Sequence, residues 1–301
     1  MQLAARQRTG IGGGPISMMR DLVALTKPRI MVLLLFTGFS AMVVALGHVP
    51  SWSMTVLTLV GLGCSTGGAA ALNMWYDRDI DQLMGRTQSR PIPAGRISER
   101  TALVLGLGLE ALALVILGFG VNGLTALLAF GGFFYYVVIY TMWLKRRTPQ
   151  NIVIGGGAGA FPPLVGWAAA TGHLAWPAVL MFLVIFLWTP PHFWSLALYK
   201  NEDYIKANIP MMPVVQGERS TKWQSLIYGV LLLASSILLY ETHVVGRVYL
   251  VAALVLGLGF LVILARLLRE QAPQLEWAKR SFRYSLLYLL GIFGFMLANV
   301  R

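Results

Sequence analysis

Apolar residues run along this chain in nine blocks of about 20, the length a helix needs to cross a bilayer, and short polar, Gly and Pro clusters separate them. The blocks lie at 29–48, 54–75, 101–119, 122–144, 152–171, 175–199, 224–242, 247–268 and 282–300. The pattern predicts an all-α integral membrane protein with nine transmembrane helices. Continuous apolar segments with brief connections argue for one bundle over residues 22–301. Residues 1–21, with Arg6, Arg8, Arg20 and the Gly12-Gly13-Gly14 run, read as a flexible basic tail. They show no apolar stretch of the signal-peptide kind, so the tail reads as uncleaved.

Composition supports the pattern. Apolar residues make up 57% and charged residues 12%, with a mean hydropathy of +0.68. Soluble domains carry roughly 25% charge, and half that amount cannot cover a soluble surface in water. The single cysteine, Cys64, lies inside an apolar block, which excludes an intrachain disulfide framework and a Cys-based metal site.

The net charge of +12 would point to nucleic acid in a soluble chain. Here it reads as topology, with no nucleic-acid partner. With nine spans, 22 of the 24 Lys and Arg residues fall on the side of the N-terminus, leaving only Arg247 and Arg301 opposite. The positive-inside bias puts the N-terminus in the cytoplasm and the C-terminus outside. No transit-like segment is evident, so the expected location is a bacterial inner membrane. The connections between spans 2 and 3 and between spans 6 and 7 each run to about 25 residues and hold most of the acids. Long connections in a compact bundle are usually functional, so chemistry is expected on the cytoplasmic face.

The second span ends Asn73-Met74-Trp75-Tyr76-Asp77-Arg78-Asp79-Ile80-Asp81. Asn73, Asp77 and Asp81 share one helical face at i, i+4 and i+8, whereas Asp79 is turned about 200° from Asp77. Carboxylates stacked this way repel each other, and a hard cation between them explains the arrangement. Mg²⁺ takes few carboxylates and completes its shell with water and phosphate oxygens. The plain alternative is a loop start neutralised by Arg78 and Arg86. Against it, the polar face begins with Asn73 inside the bilayer, where polar residues are costly and usually functional. Downstream, Arg90-Pro91-Ile92-Pro93-Ala94-Gly95-Arg96 forms a rigid turn that fixes its arginines. Arg90, and with less support Arg96, suits phosphate, which guanidinium grips bidentately.

Asn-x3-Asp-x3-Asp at a helix end, followed by Arg-Pro-x-Pro-x-Gly, resembles the UbiA-type intramembrane prenyltransferases. Three stretches resemble their heme-modifying branch. These are Tyr140-Thr141-x-x-Leu144-Lys145-Arg146 on to Gly166-Trp167, Trp188-Thr189-Pro190-Pro191-His192-Phe193-Trp194, and Asp203-Tyr204-x-x-Ala207-x-Ile209-Pro210 on to Gly217. The likeness runs from about Lys27 to the last span.

The resemblance implies nine helices around a central cavity open to the cytoplasmic side. It implies farnesyl diphosphate held through Mg²⁺ by Asn73, Asp77 and Asp81, with heme b as the second substrate rather than a cofactor. The farnesyl group would pass to a heme vinyl group and water would add. A heme A synthase or a terminal-oxidase assembly partner is implied as a neighbour within the membrane lipid. Many superfamily members carry a second Asp-x3-Asp motif between spans 6 and 7. Here Asp203 is followed by Ala207 at the matching position, which halves that motif, and Glu202 points about 100° away.

Further candidates follow from position. Lys145, Arg146 and Asn151 flank the connection between spans 4 and 5, as topology anchors or as grips for diphosphate or a heme propionate. Lys27 and Arg29 flank Pro28 at the start of the first span, and Arg29 is read in the same way. Tyr204 is a candidate shield for an allylic cation. His192, after two prolines and before Phe193-Trp194, is read as a buried structural histidine, a porphyrin contact or an iron ligand. His48, His173 and His243 fall in outer connections. Glu110 lies in the middle of the third span, where an acid is costly. The Gly155-Gly156-Gly157 run lacks the strand and the Gly-Lys-Ser/Thr of a nucleotide loop, and reads as helix packing. A transporter is the competing class, but it would favour polar groups near the midplane.

Overall fold

A computed structural model describes residues 14–271 and 273–301, and all the spans expected from the sequence are helical in it. A short helix, α1 (Pro15–Leu25), precedes the first span, α2 (Pro28–Leu46). The second span is α3 (Trp52–Tyr76), followed at once by the short α4 (Arg78–Leu83). The third is α5 (Glu99–Gly120), and the fourth is α6 (Gly123–Phe134) running on as a π-helix over Tyr135–Leu144. The fifth is broken at Gly156 into α7 (Asn151–Gly155) and α8 (Gly157–Thr171). The sixth is α9 (Trp176–Tyr199), and α10 (Asn201–Lys206) lies in the connection after it. The last three are α11 (Met212–Glu241), α12 (Arg247–Arg269) and α13 (Glu276–Ala298).

Three expectations are corrected. The basic tail expected over 1–21 is helical from Pro15 onward, in α1, which begins with Pro at its first turn as helices prefer. Asp21 of that helix pairs with Arg96 at 3.0 Å. Residues 1–13 of the tail lie outside the described residues. The connection between spans 6 and 7 is also shorter than expected, because α11 starts at Met212 and bends at Gly217, whose φ of 76° only glycine adopts freely. Its polar first turns hid it from a hydropathy reading. Buried Lys222 secures them by pairing with Glu218 at 2.9 Å and donating to the Glu270 carbonyl at 2.8 Å. Likewise α13 starts at Glu276 rather than 282. The Glu270 carboxylate accepts from the Trp277 and Ala278 amides at 2.8 and 3.2 Å, satisfying donors that every helix start leaves free.

Close helix contacts are made by glycines, as membrane bundles require when no hydrophobic drive brings helices together. A Cβ on Gly166 of α8 would stand 2.0 Å from the Gly38 carbonyl of α2, and one on Gly68 of α3 would stand 2.6 Å from the Gly106 carbonyl of α5. The α9 helix is packed among α8, α11 and α13, with Met181, Val184, Leu198, Leu232, Tyr288 and Phe293 in one core. At the end away from Asp77 and Asp81, Arg301 donates its amide to the Val244 carbonyl at 3.1 Å, and Val245 bridges Val300. The acids and the broken helices are left together at the other end.

Candidate active site

The acidic face forms because the helical path survives the break between α3 and α4. Asp77 caps α3 with its amide on the Asn73 carbonyl at 2.9 Å, and the Asp81 amide repeats this on Asp77 at 2.9 Å. Asn73, Asp77 and Asp81 therefore stack on one side at 3%, 0% and 2% exposure. Asp79, on the opposite side, leaves 61% of its side chain in the open. It forms a two-pronged pair with Arg146 at 2.7 Å, and this hydrogen bonding lowers its carboxyl pKa. Arg146 also lies over the Tyr76 ring and reaches within 3.7 Å of Asp77.

Three further cations converge on the buried acids. Lys145 pairs with Asp77, on the oxygen that also accepts from the Asn73 amide at 2.7 Å. Arg90 donates to Asp81 at 2.6 Å, and Lys27 donates to the Asn73 amide oxygen at 2.7 Å. Burial, then the neighbouring charges of Arg90 and Lys145, pushes the Lys27 ammonium down to about 7, with Asp77 and Asp81 acting in the opposite sense.

Local structure explains each placement. Lys145 reaches Asp77 through the π-helix, whose bonds run to the fifth residue back, as from the Lys145 amide to the Tyr140 carbonyl at 2.9 Å. That ladder stacks residues four and five apart, so Tyr136, Tyr140, Thr141 and Lys145 follow one face. In an α-helix Tyr136 and Lys145 would be about two and a half turns apart and on opposite sides. Thr141 accepts from Asn73 at 3.1 Å, the Tyr136 hydroxyl accepts from Lys27 at 3.4 Å, and the Tyr136 and Tyr140 rings lie 5.6 Å apart. Lys27 is turned inward by a left-handed conformation, φ 51°, at the break between α1 and α2. Arg29, expected at the site, is exposed on the outside of α2. Lys27, on the other side of Pro28, takes the place assigned to it.

Arg90 is fixed by the Pro-rich turn. The Thr87 hydroxyl ties the turn to the Asp81 carbonyl at 2.9 Å, and Gly95 closes it with φ 71°. Arg96 instead binds Asp21 and the Ser89 carbonyl, away from the acids.

The α10 segment reaches the same end through a small apolar cluster. Tyr204, Ala207, Ile209 and Met211 pack there against Ile80 of α4, Met84 just after it and Ile152 of α7. Burial raises the Tyr204 phenol pKa, and nearby Arg86 opposes that. Asp203, in the first turn of α10, is half-buried, and Glu202 is exposed. Asn151 is buried and directs its amide to backbone carbonyls, at 2.7 Å to Thr148 and at 3.4 and 3.5 Å to Lys145 and Pro210. It ties two connections together, and its own oxygen has no partner among the described residues.

His192 stands apart from the acids, between α9 and α13. Its ring is sandwiched by Trp188 at 4.2 Å and Phe282 at 4.6 Å, with Phe193 edge-on at 5.2 Å. Trp194, two residues on, is fully buried against Tyr228. His192 Nδ1 lies 2.6 Å from Ser285 Oγ, and the Trp188 indole donates to the Ser285 carbonyl at 2.7 Å. Glu110 is buried in α5, away from this end, with both carboxylate oxygens unpartnered among the described residues.

The sequence reading missed Tyr136, Thr141 and Ser285. The repeated polar positions Ser281 and Ser285, one turn apart inside an apolar span, were the available signal for the last.

The donor set fits a divalent cation. Among the described residues Asp77 Oδ1 is fully buried without a hydrogen-bond partner, a costly state that a metal would relieve. Among the described residues no three His, Cys, Asp or Glu side chains converge. Two carboxylates and an amide match an ion that draws its remaining ligands from phosphate and water.

The chain is 57% identical over 98% of its length to a protoheme IX farnesyltransferase of Symbiobacterium thermophilum, covering 98% of that protein. It is 50% identical over 92% of its length to one of Brucella ovis, covering 89% of it. Its fold matches a solved digeranylgeranylglyceryl phosphate synthase with a TM-score of 0.78 at 19% identity, covering 94% of this chain and 99% of that one. A UbiA homologue of Archaeoglobus fulgidus, solved with DMAPP and Mg²⁺, matches with a TM-score of 0.64 at 17% identity, covering 92% and 99%. Residues 34–287 match the model of the UbiA prenyltransferase family, and the chain belongs to that family as a multi-pass membrane prenyltransferase.

Proposed function

We propose that this enzyme transfers the farnesyl group of farnesyl diphosphate to a vinyl group of heme b, with addition of water, giving heme O and diphosphate. One observation carries the diphosphate half. A buried Asn-Asp-Asp face with an unpartnered Asp77 oxygen is ringed by Lys27, Arg90 and Lys145. The acceptor half is supported by relatives with at least 50% identity that carry the name protoheme IX farnesyltransferase.

Asn73, Asp77 and Asp81 would hold Mg²⁺, which when bound supplies positive charge to the departing diphosphate. Lys27, Arg90 and Lys145 grip the phosphate oxygens and stabilise the negative charge that grows on them as the allylic C–O bond breaks. Tyr136 and Tyr140 face the freed farnesyl cation with π-electron density. Tyr204 and its apolar cluster keep water from that cation before the acceptor reacts. The vinyl π-electrons then form the new C–C bond, the positive charge moves to the carbon beside the porphyrin ring, and water adds there and releases one proton.

His192 contacts the porphyrin through Nε2, since both ring faces are already covered. Asp203 supports the diphosphate from α10 without a second carboxylate at position 207. Arg146, held by Asp79, guards the rim. The charge distribution supports an inner-membrane location, with the N-terminus and the acidic end in the cytoplasm. Docking of a heme A synthase or terminal-oxidase assembly factor rests on the family resemblance alone.

The test is turnover by detergent-purified protein with ferrous heme b, farnesyl diphosphate and Mg²⁺. The product is expected to be a heme heavier by one farnesyl and one water, absent with chelator. Diphosphate release with unchanged heme would overturn the acceptor and leave the family chemistry standing.

A further inference from the structure

Three ligand atoms of the acidic face are already occupied by the protein's own cations. Asn73 Oδ1 accepts from Lys27 at 2.7 Å, Asp81 Oδ2 accepts from Arg90 at 2.6 Å, and Asp77 Oδ2 is held by Lys145 and the Asn73 amide. Asp77 Oδ1, 3.7 Å from Arg146, accepts no hydrogen bond among the described residues. Two buried carboxylates and the Asn73 oxygen thus face three basic groups at contact distance, with Arg146 beyond them. Such a face has no surplus negative charge with which to draw a free divalent cation out of water.

None of these cations can simply leave. A buried carboxylate stripped of its partner is strongly destabilised. A diphosphate removes the conflict because its oxygens suit ammonium and guanidinium as well as carboxylate oxygens do. The cations then move by the width of the site and keep a partner throughout, while the ligand atoms they release become available to a metal arriving with the phosphate.

We propose that Lys27, Arg90 and Lys145 are exchangeable counter-ions. They hold the ligand atoms of Asn73, Asp77 and Asp81 until a prenyl diphosphate takes them over, so a divalent cation binds only together with the diphosphate. This rests on the function proposed above and specifies how its two ligands depend on each other. The dependence is reciprocal, because a coupling free energy acts equally on both ligands.

The experiment uses the full-length protein in detergent, with Mn²⁺ as a spectroscopic probe read by electron paramagnetic resonance. Farnesyl thiodiphosphate serves as a slowly reacting substrate analogue. Mn²⁺ should bind the unsubstituted protein weakly alone and at least about tenfold more tightly with the analogue, about 1.4 kcal/mol of coupling. Lys145→Met should tighten Mn²⁺ binding without the analogue by at least about tenfold and shrink the analogue's effect, whereas Lys145→Arg should behave like the unsubstituted protein. Arg90→Met, read the same way, covers the case in which Lys145→Met does not fold. Equal Mn²⁺ affinity with and without analogue, or no gain in either Met variant, overturns the exchange. An absence of Mn²⁺ binding even with the analogue overturns the metal reading as well.

Discussion

His192 Nδ1 lies 2.6 Å from Ser285 Oγ, and the single hydroxyl hydrogen of Ser285 goes to the Phe282 carbonyl at 2.7 Å. Ser285 therefore accepts from histidine, which puts the imidazole proton on Nδ1 and leaves the Nε2 lone pair free. A histidine oriented in this way is the form that binds metal or accepts a hydrogen bond from a substrate. Two stacked rings fix its plane, and Pro190 and Pro191 directly before it set its position on α9.

Ser285→Ala should lower the affinity for heme b by about 10–100-fold, the usual cost of removing a group that orients a ligand. Farnesyl diphosphate affinity should stay unchanged, because the acids lie elsewhere. His192→Ala should show the same pattern more strongly. Separate titrations of the two substrates check this, and equal losses in both would remove the assignment.

Asp77→Ala and Asp81→Ala should each abolish turnover in a protein that still inserts and purifies as a single species. Asp79→Ala should retain most activity, since its pair with Arg146 is largely exposed and such pairs contribute about 0–1 kcal/mol. The comparison is read as kcat/KM for farnesyl diphosphate. An equal loss at all three positions would contradict the division of the helix into a buried and an open face.

That division was legible in the sequence because it follows from helical spacing alone, which the unbroken i, i+4 bonding of Asn73, Asp77 and Asp81 preserves. The number of spans was legible for a similar reason, since lipid enforces long apolar blocks and positive charge marks one side. The π-helix was not. Nothing in Tyr135–Leu144 distinguishes a π-turn from an α-turn, and tertiary contacts with α3 and α7 decide it. Lys27 and Arg29 could not be separated either, because the choice depends on a left-handed residue at a helix junction. The first turns of α11 and α13 were missed because capping and a buried lysine stabilise them, rather than apolar periodicity.

Lys27→Met should raise the KM for farnesyl diphosphate by at least about tenfold, whereas Arg29→Met should change it by less than about twofold. Removing one member of a buried charge set usually costs 2–5 kcal/mol, and an exposed rim charge far less. Steady-state kinetics on both variants decide the matter, and a larger effect at Arg29 would restore the position first expected from the sequence.

Gly155 links packing to chemistry. A Cβ there would stand 2.1 Å from Cδ2 of Tyr140, so the tyrosine ring occupies the room a side chain would need. Tyr140 belongs to the π-helix that carries Lys145 to Asp77, and displacing its ring shifts the ladder at its C-terminal end. Gly155→Ala should therefore lower kcat by about tenfold or more, since misplacement of a gripping group by about 1 Å can cost about a hundredfold. The overpacking should also cost about 1–3 kcal/mol, read as a lower unfolding midpoint in detergent. Gly159, one turn further along, has open space where its Cβ would be. Gly159→Ala should leave kcat unchanged and stabilise its helix slightly, because alanine is the better helix former. Equal behaviour of the two variants would mean that the glycines serve only close helix packing, and that Lys145 is placed by something other than the Tyr140 contact.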